Sequence, residues 1–340
     1  MLTTTADREI SFLFKKIRYA TNSQPINTEQ EKKKVLADET YNPKLRYNKL
    51  KGNIPLIKKS LEKIKTDSST MGKLLEERKE ELITTCNFLL NRGTKKIALL
   101  SEQLYGIPSK ELIKNAYKLV ELKQTEEEKK HNTFTTTRKM IESLLRYRFE
   151  WKIKEREMIV GATFNSGTKT IYVNKNRKFS ENDIRRLIVH EIGTHVARAE
   201  NGKKQQYALF HIGFPGYLPT EEGLAMYHEQ KAGLLSNALI KGYAGRVIAV
   251  HLSRTNSFSF VYNSLREFFD KEQSYILAIR AKRGLGDTSK PGAFTKDHVY
   301  LKGKYLIEEY IKEGGDIKKL YIGKIGVHHV PLLSKIEKCQ

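Results

Sequence analysis

His190-Glu191-Ile192-Gly193-Thr194-His195 is the stretch on which the reading of this chain turns. Two histidines five positions apart enclose a glutamate, in the order HExxxH. In the shorter spacing HExxH, the histidines lie about 40° apart around an ideal helix and about one turn along it, so both imidazoles reach one ion. Five positions correspond to about 140°, which an ideal helix does not bring to one side. A single π-type turn restores the shared face, and such turns concentrate at functional sites. Gly193, inside the motif, lowers helix propensity by about 1 kcal/mol and leaves room for distortion. The spacing predicts a widened or kinked helix at 190–195.

The motif does not stand alone. With this content of histidine and glutamate, chance produces one HExxxH about 2% of the time, so the flanking elements decide. Upstream, Ser180 can cap a helix, with Asp183 as a weaker form of the capping-box acid and Ile184, Leu187 and Ile188 inward. Before that the period changes: 158–163 and 168–173 are short β-branched-rich stretches flanking Asn165, Ser166 and Gly167, a hairpin signal. Downstream, a Gly/Pro/aromatic loop leads to Thr220-Glu221-Glu222-Gly223-Leu224-Ala225, a helix start with Thr220 as its expected cap. Glu222 heads a face with Met226 and Glu229. Two histidines and a carboxylate from a second helix make a zinc site with its fourth position left for water. Glu191 adjoins the first ligand and can take that water's proton. Acidic capping accounts for Glu221; it accounts less well for Glu222.

His190 to His195 followed by Glu222-Gly-Leu-Ala225 resembles the DUF1704 family, whose bacterial members are named for a Gln-Glu-Gly-Leu-Ala motif. Its animal members are the microtubule-associated tyrosine carboxypeptidases. The likeness continues in Phe294-Thr-Lys-Asp297, Val299-Tyr-Leu301 and Gly303, and covers about residue 45 to the end. Glu221 departs from the motif, standing where it has Gln. The resemblance implies a gluzincin-like zinc metallopeptidase with one Zn2+ held by His190, His195 and Glu222, and with Glu191 as general base. In the tubulin-directed members the reaction removes a C-terminal tyrosine.

A peptidase also needs an oxyanion donor and groups that hold the substrate. His298 is the first choice for the oxyanion, with His211, Tyr217 and Tyr300 behind it; Arg283 and Lys296, on a Gly-rich loop, suit a C-terminal carboxylate. Tyr217 and Tyr300 are also substrate-contact candidates. The strand edge of the hairpin ending at Val173 can pair with an extended peptide. His228 reads as core or surface. His328 and His329 fall in an expected strand, 324–330, which would point them to opposite faces.

The rest of the chain reads as α+β, predominantly helical. Residues 1–45 form a weakly structured segment and 46–150 a helical part, with helices expected at 72–90, 97–104, about 108–120 and 137–151. The catalytic part is 151–340, with further helices near 242–252, 258–282 and 304–313, the whole forming one compact unit. The charged run 126–130 reads as a solvated helix end or linker.

Composition bounds the partners. The chain has 340 residues, 62 basic and 39 acidic, a net charge of +23. That charge is spread evenly, without a basic tail, Cys/His finger spacing or aromatic RNA-reading motif, so no specific nucleic acid is expected. A peptide or protein C-terminal tail, acidic in character, suits the positive field. No apolar run approaches the roughly 20 residues that cross a bilayer, so no membrane partner is expected. Cys86 reads as a buried hydrophobe and Cys339 as exposed, which with no leader signal suits a reducing cytoplasm. A metal-binding regulatory protein without activity remains the alternative, and a basic nucleic-acid binder a more distant one.

Overall fold

A computed structural model describes residues 2–123, 130–131, 133–158, 161–165 and 168–337. The charged run at 126–129, the Ser166–Gly167 turn and Cys339 lie outside them. The described chain is mostly helical with small sheets, and divides into two compact units. The first joins Met1–Lys123 to Ala238–Lys302, the second Gln124–Asn237 to Gly303–Gln340.

Among the described residues the first unit is built of helices, with two isolated β-bridges, Lys44↔Asp287 and Gly93↔Leu285. Serines and asparagines start its elements by accepting backbone N–H bonds: Asn53 for Ile54–Lys63, Ser69 for Thr70–Leu90 and Ser109 for Lys110–Leu119. Gly106, at φ 71°, ends Lys96–Tyr105, as its place in the sequence suggests. Cys86 is fully buried in the Thr70–Leu90 helix. Two expectations are corrected. Residues 1–45 are not weakly structured: Leu2–Ile17 and Thr28–Ala37 are helices. Ala6, Ile10, Leu13 and Ile17 make a buried stripe at helical spacing, and the Glu31 carboxylate organises the polar segment after it by accepting from the Tyr41 hydroxyl and the Lys44 N–H. Nor does the chain part near residue 150. Residues 238–302 return to the first unit, where Phe294 packs on Phe88 and Tyr105 at centroid distances of 5.5 and 5.6 Å. The expected helix at 258–282 is two, Phe258–Leu265 and Lys271–Lys282, the second capped by Asp270.

The second unit holds the sheet. Ala162–Asn165 pairs antiparallel with Thr170–Asn174 in the register Ala162↔Val173 to Asn165↔Thr170. Lys152–Arg156 adds a parallel strand on the other side. The strand containing Val173 is therefore central, and cannot be the open edge. The sheet's edges are Lys152–Arg156 and Ala162–Asn165, each without a second strand partner among the described residues. Ile171 and Val173 join Trp151, Ile184, Leu187, Ile192 and Val196 in one buried cluster beneath the motif helix. Residues 324–330 are not a strand: Val327–Leu332 is a 3-10 turn, and His328 and His329 bring their rings to 3.9 Å. Gly326 precedes that turn, Pro331 lies within it, and Gly326 donates its N–H to His329 Nδ1 at 2.8 Å.

Candidate metal centre

Ser180 and Asp183 form a reciprocal capping box at the start of Glu181–Leu187. This helix continues into Ile188–Val196, which is π-helical, so the widened turn required by HExxxH is present. Within it the Thr194 hydroxyl donates to Val189 O at 3.2 Å, five residues back, and Tyr321 OH donates to Gly193 O at 3.1 Å. The imidazoles of His190 and His195 consequently meet, with centroids 4.8 Å apart.

Glu222 arrives on Leu218–Lys231. Thr220 is not its cap: Tyr217 occupies that position, and the Thr220 hydroxyl accepts from Val327 N at 3.0 Å. Glu222 Oε2 stands 3.6 Å from Nε2 of both histidines. That exceeds an ordinary hydrogen bond and approaches the separation of about 3.3 Å between two ligands of one tetrahedral zinc. Donor atoms of the three residues lie within 4.8 Å of one another, and all three residues are buried. Glu191 is buried too, and its Oε2 has no hydrogen-bond partner among the described residues.

Carboxylates hold the far nitrogens. His190 Nδ1 is 2.8 Å from Glu229 Oε1, and His195 Nδ1 is 3.0 Å from Glu221 Oε1. Arg186 donates to Glu229 at 3.1 Å, and the fully buried Arg198 donates to Glu221. Glu221 is thus no exposed capping acid. Burial pushes its pKa up, but Arg198 and His195 outweigh that and draw it down to about 2. Burial likewise opposes ionisation of Glu229, and the His190 hydrogen bond and Arg186 reverse it, lowering its pKa. Burial disfavours charge on His190, yet Glu222 and Glu229 raise its pKa well above the usual value. Four buried carboxylates, Glu191, Glu221, Glu222 and Glu229, face Arg186, Arg198 and Lys324. The negative excess suits a divalent cation, and the donor set of two imidazoles and one carboxylate suits zinc.

Phe164, on the edge strand, stacks on His195 at 4.8 Å and 19°. His228 lies between the rings of Tyr227 and Tyr321, as a core residue would. His211 donates Nδ1–H to Ala199 O at 2.9 Å.

His298, Arg283, Lys296 and Tyr300 belong to the first unit. Arg280 binds Asp297 at 2.5 Å, with Arg283 3.9 Å from the other carboxylate oxygen. Burial alone would raise the Asp297 pKa, but Arg280, Arg283 and Arg246 hold it far below the usual range. Arg283 lies over Phe294 at 4.3 Å, and its buried Nε has no partner among the described residues. Arg246 lies 4.6 Å over the Tyr300 ring, and Lys296 is half-buried in the 3-10 turn Thr295–His298. His298 meets Thr295 O through Nδ1 at 2.6 Å, so that nitrogen carries the proton. Burial lowers its pKa to about 4, leaving Nε2 an acceptor at neutral pH. Its expected role as an oxyanion donor does not suit that tautomer.

The sequence reading missed Glu221 and Glu229 as partners of the ligand histidines. A signal was present: Arg186 lies four residues before His190 and Arg198 three after His195, each on a face shared with a histidine.

A profile of the microtubule-associated tyrosine carboxypeptidase family matches residues 33–339. Microtubule-associated tyrosine carboxypeptidase 1 of Mus musculus is 35% identical over 125 residues, covering 34% of this chain and 26% of that protein. Its Rattus norvegicus and Homo sapiens counterparts match with the same identity and coverage. The match thus spans about a quarter of the length of these relatives.

Proposed function

The chain belongs to the microtubule-associated tyrosine carboxypeptidase family, and from that premise we propose that it is a zinc-dependent carboxypeptidase. It would remove a C-terminal residue, tyrosine being the first candidate, from a peptide or protein tail of acidic character. The observation that carries the reading is the buried convergence of His190, His195 and Glu222 beside a glutamate, Glu191, whose Oε2 has no partner among the described residues. His190, His195 and Glu222 would hold zinc, which supplies Lewis acidity and makes water a nucleophile near neutral pH.

Glu191 takes the proton of the attacking water and returns it to the leaving amine. Its Oε2 is not committed to another side chain. The open edge of Ala162–Asn165, beside His195, is suited to pair with an extended peptide, correcting the edge expected at Val173. Arg283 and Lys296 remain candidates for the terminal carboxylate, Arg283 because a buried guanidinium with an unsatisfied N–H favours an anion. Tyr217 and Tyr300 are candidate substrate contacts. Two cysteines without metal or redox spacing favour a reducing, cytoplasmic setting. Among the described residues no helix is long and apolar enough to cross a membrane. An intact Glu191 favours hydrolysis over a purely regulatory metal site, which needs no base.

Glu191→Gln keeps shape but cannot accept the proton, so zinc content should stay at the parent level while turnover of C-terminal peptides falls by about 100-fold or more. Glu222→Gln should instead weaken zinc binding itself. Bound metal and peptide turnover, measured on both variants and the parent, test this. Full turnover in Glu191→Gln, or a parent that takes up no zinc, overturns the reading.

A further inference from the structure

A histidine ligand offers one of two nitrogens, and the hydrogen bond made by the other decides which. We propose that Glu221 and Glu229 are positioning residues of the metal centre, each fixing one ligand histidine with Nδ1–H turned away so that Nε2 presents its lone pair beside Glu222. The proposal rests on the zinc reading above.

The geometry is paired. Glu229 Oε1 lies 2.8 Å from His190 Nδ1, and Glu221 Oε1 lies 3.0 Å from His195 Nδ1. A carboxylate held by a guanidinium can only accept here, so both Nδ1 atoms donate. Both Nε2 atoms then stand 3.6 Å from Glu222 Oε2. One helix, Leu218–Lys231, therefore supplies the third ligand and both braces, one residue before and seven after Glu222. A brace at −1 and another at +7 lie on opposite sides of the ligand along the helix, which suits two histidines approaching from a widened turn.

Each brace is itself anchored. Arg186 holds Glu229 at 3.1 Å, and Arg198 holds Glu221. Arg198 also donates to Leu320 O at 2.9 Å and to Ile325 O at 2.6 Å. The Tyr321 hydroxyl of that same segment binds the carbonyl of Gly193 inside the π turn. The His195 brace is thereby tied to residues 320–325, which also steady the turn. A Gln at 221, as in the motif this chain resembles, could accept the same hydrogen bond. The carboxylate adds negative charge, which makes His195 a stronger donor to a cation.

Zinc affinity by chelator competition, together with the absorption spectrum of the cobalt-substituted protein, tests the assignment on Glu221→Gln, Glu229→Gln and Glu221→Leu. Both Gln variants should bind zinc about 10- to 100-fold more weakly, a loss larger than any fall in the unfolding midpoint of the metal-free protein accounts for. Glu221→Leu removes the acceptor, and should also change the cobalt spectrum. Should Glu221→Leu fail to fold because Arg198 is left buried and unpaired, the two Gln variants decide. Zinc affinities within about twofold of the parent, with an unaltered cobalt spectrum, overturn the proposal. So does zinc loss that only tracks loss of metal-free stability. A parent that binds no zinc overturns the earlier reading instead, so the two failures are distinct.

Discussion

Gly193 sits inside the motif, and its role differs from the one its position suggests. A Cβ built there meets only Ile188 O, at 3.8 Å, an ordinary contact. The π turn is secured by other bonds: the Thr194 hydroxyl on Val189 O and the Tyr321 hydroxyl on Gly193 O. Gly193→Ala should therefore keep zinc, and raise stability by up to about 1 kcal/mol through helix propensity and a less flexible unfolded chain. Urea midpoints and bound zinc on the variant check this; loss of zinc would show that the turn needs glycine. The same residues show what was legible. His190, His195 and Glu222 could be read because metal binding demands donor types at spacings that few other roles require. Glu221 and Glu229 could not be read with equal force, since an acid in a first helical turn, or on a polar face, already has an ordinary explanation.

At the scale of elements, the Glu222 helix is set by a glycine contact. A Cβ on Gly223 would stand 2.1 Å from Gly303 O, and one on Gly303 would stand 2.0 Å from Pro219 O. Leu218–Lys231 and Val299–Lys312 thus approach through backbone, which explains why Glu222 is followed by glycine. Gly223→Ala should push the helices apart, cost about 1–3 kcal/mol and lower zinc affinity, because Glu222 is the preceding residue. A variant with parental midpoint and zinc affinity would refute the close approach. In the first unit, Lys271–Lys282, Asn237–Ser253 and the Thr295–His298 turn share one carboxylate, Asp297, among Arg280, Arg283 and Arg246. Its folded pKa is depressed, so its stabilisation is fully present above the unfolded value of about 3.9 and is lost as pH falls toward the folded one. Unfolding midpoints should fall as pH drops below about 4 in the parent, and less steeply in Asp297→Asn. At pH 7 that variant should be weaker by about 3–5 kcal/mol, having left buried arginines uncompensated. Equal slopes would exclude this source of acid sensitivity. Helix starts were legible wherever a serine or asparagine stood before an apolar run. Residues 324–330 misled because Ile325, Val327 and Val330 give the segment a β-branched character, whereas tertiary hydrogen bonds to Thr220, Phe210, Phe214 and Arg198 fix its course.

At the scale of the whole chain, two compact units were not legible because each is discontinuous in sequence. Periodicity reports how a segment buries its own face, and carries no signal for which distant segment covers it. Charge is different, because it sums without regard to topology. The net +23 produces a positive field around the molecule whatever the arrangement of the units. If the substrate is an acidic tail, that field raises its local concentration before any specific contact forms. The interaction is screened over about 10 Å at 0.1 M salt and about 3 Å at 1 M. KM for an acidic peptide should therefore rise several-fold over that range while kcat stays nearly constant, because the carboxylates of the metal centre and their arginines are buried and screened far less. A peptide with the same terminal residue and a neutral tail should show little change in KM. Steady-state kinetics on the two peptides at matched salt separate a steering field from a general salt effect on the enzyme, which would move both alike. If KM for the acidic peptide does not change with salt, the positive charge of this chain serves something other than recruitment of its substrate.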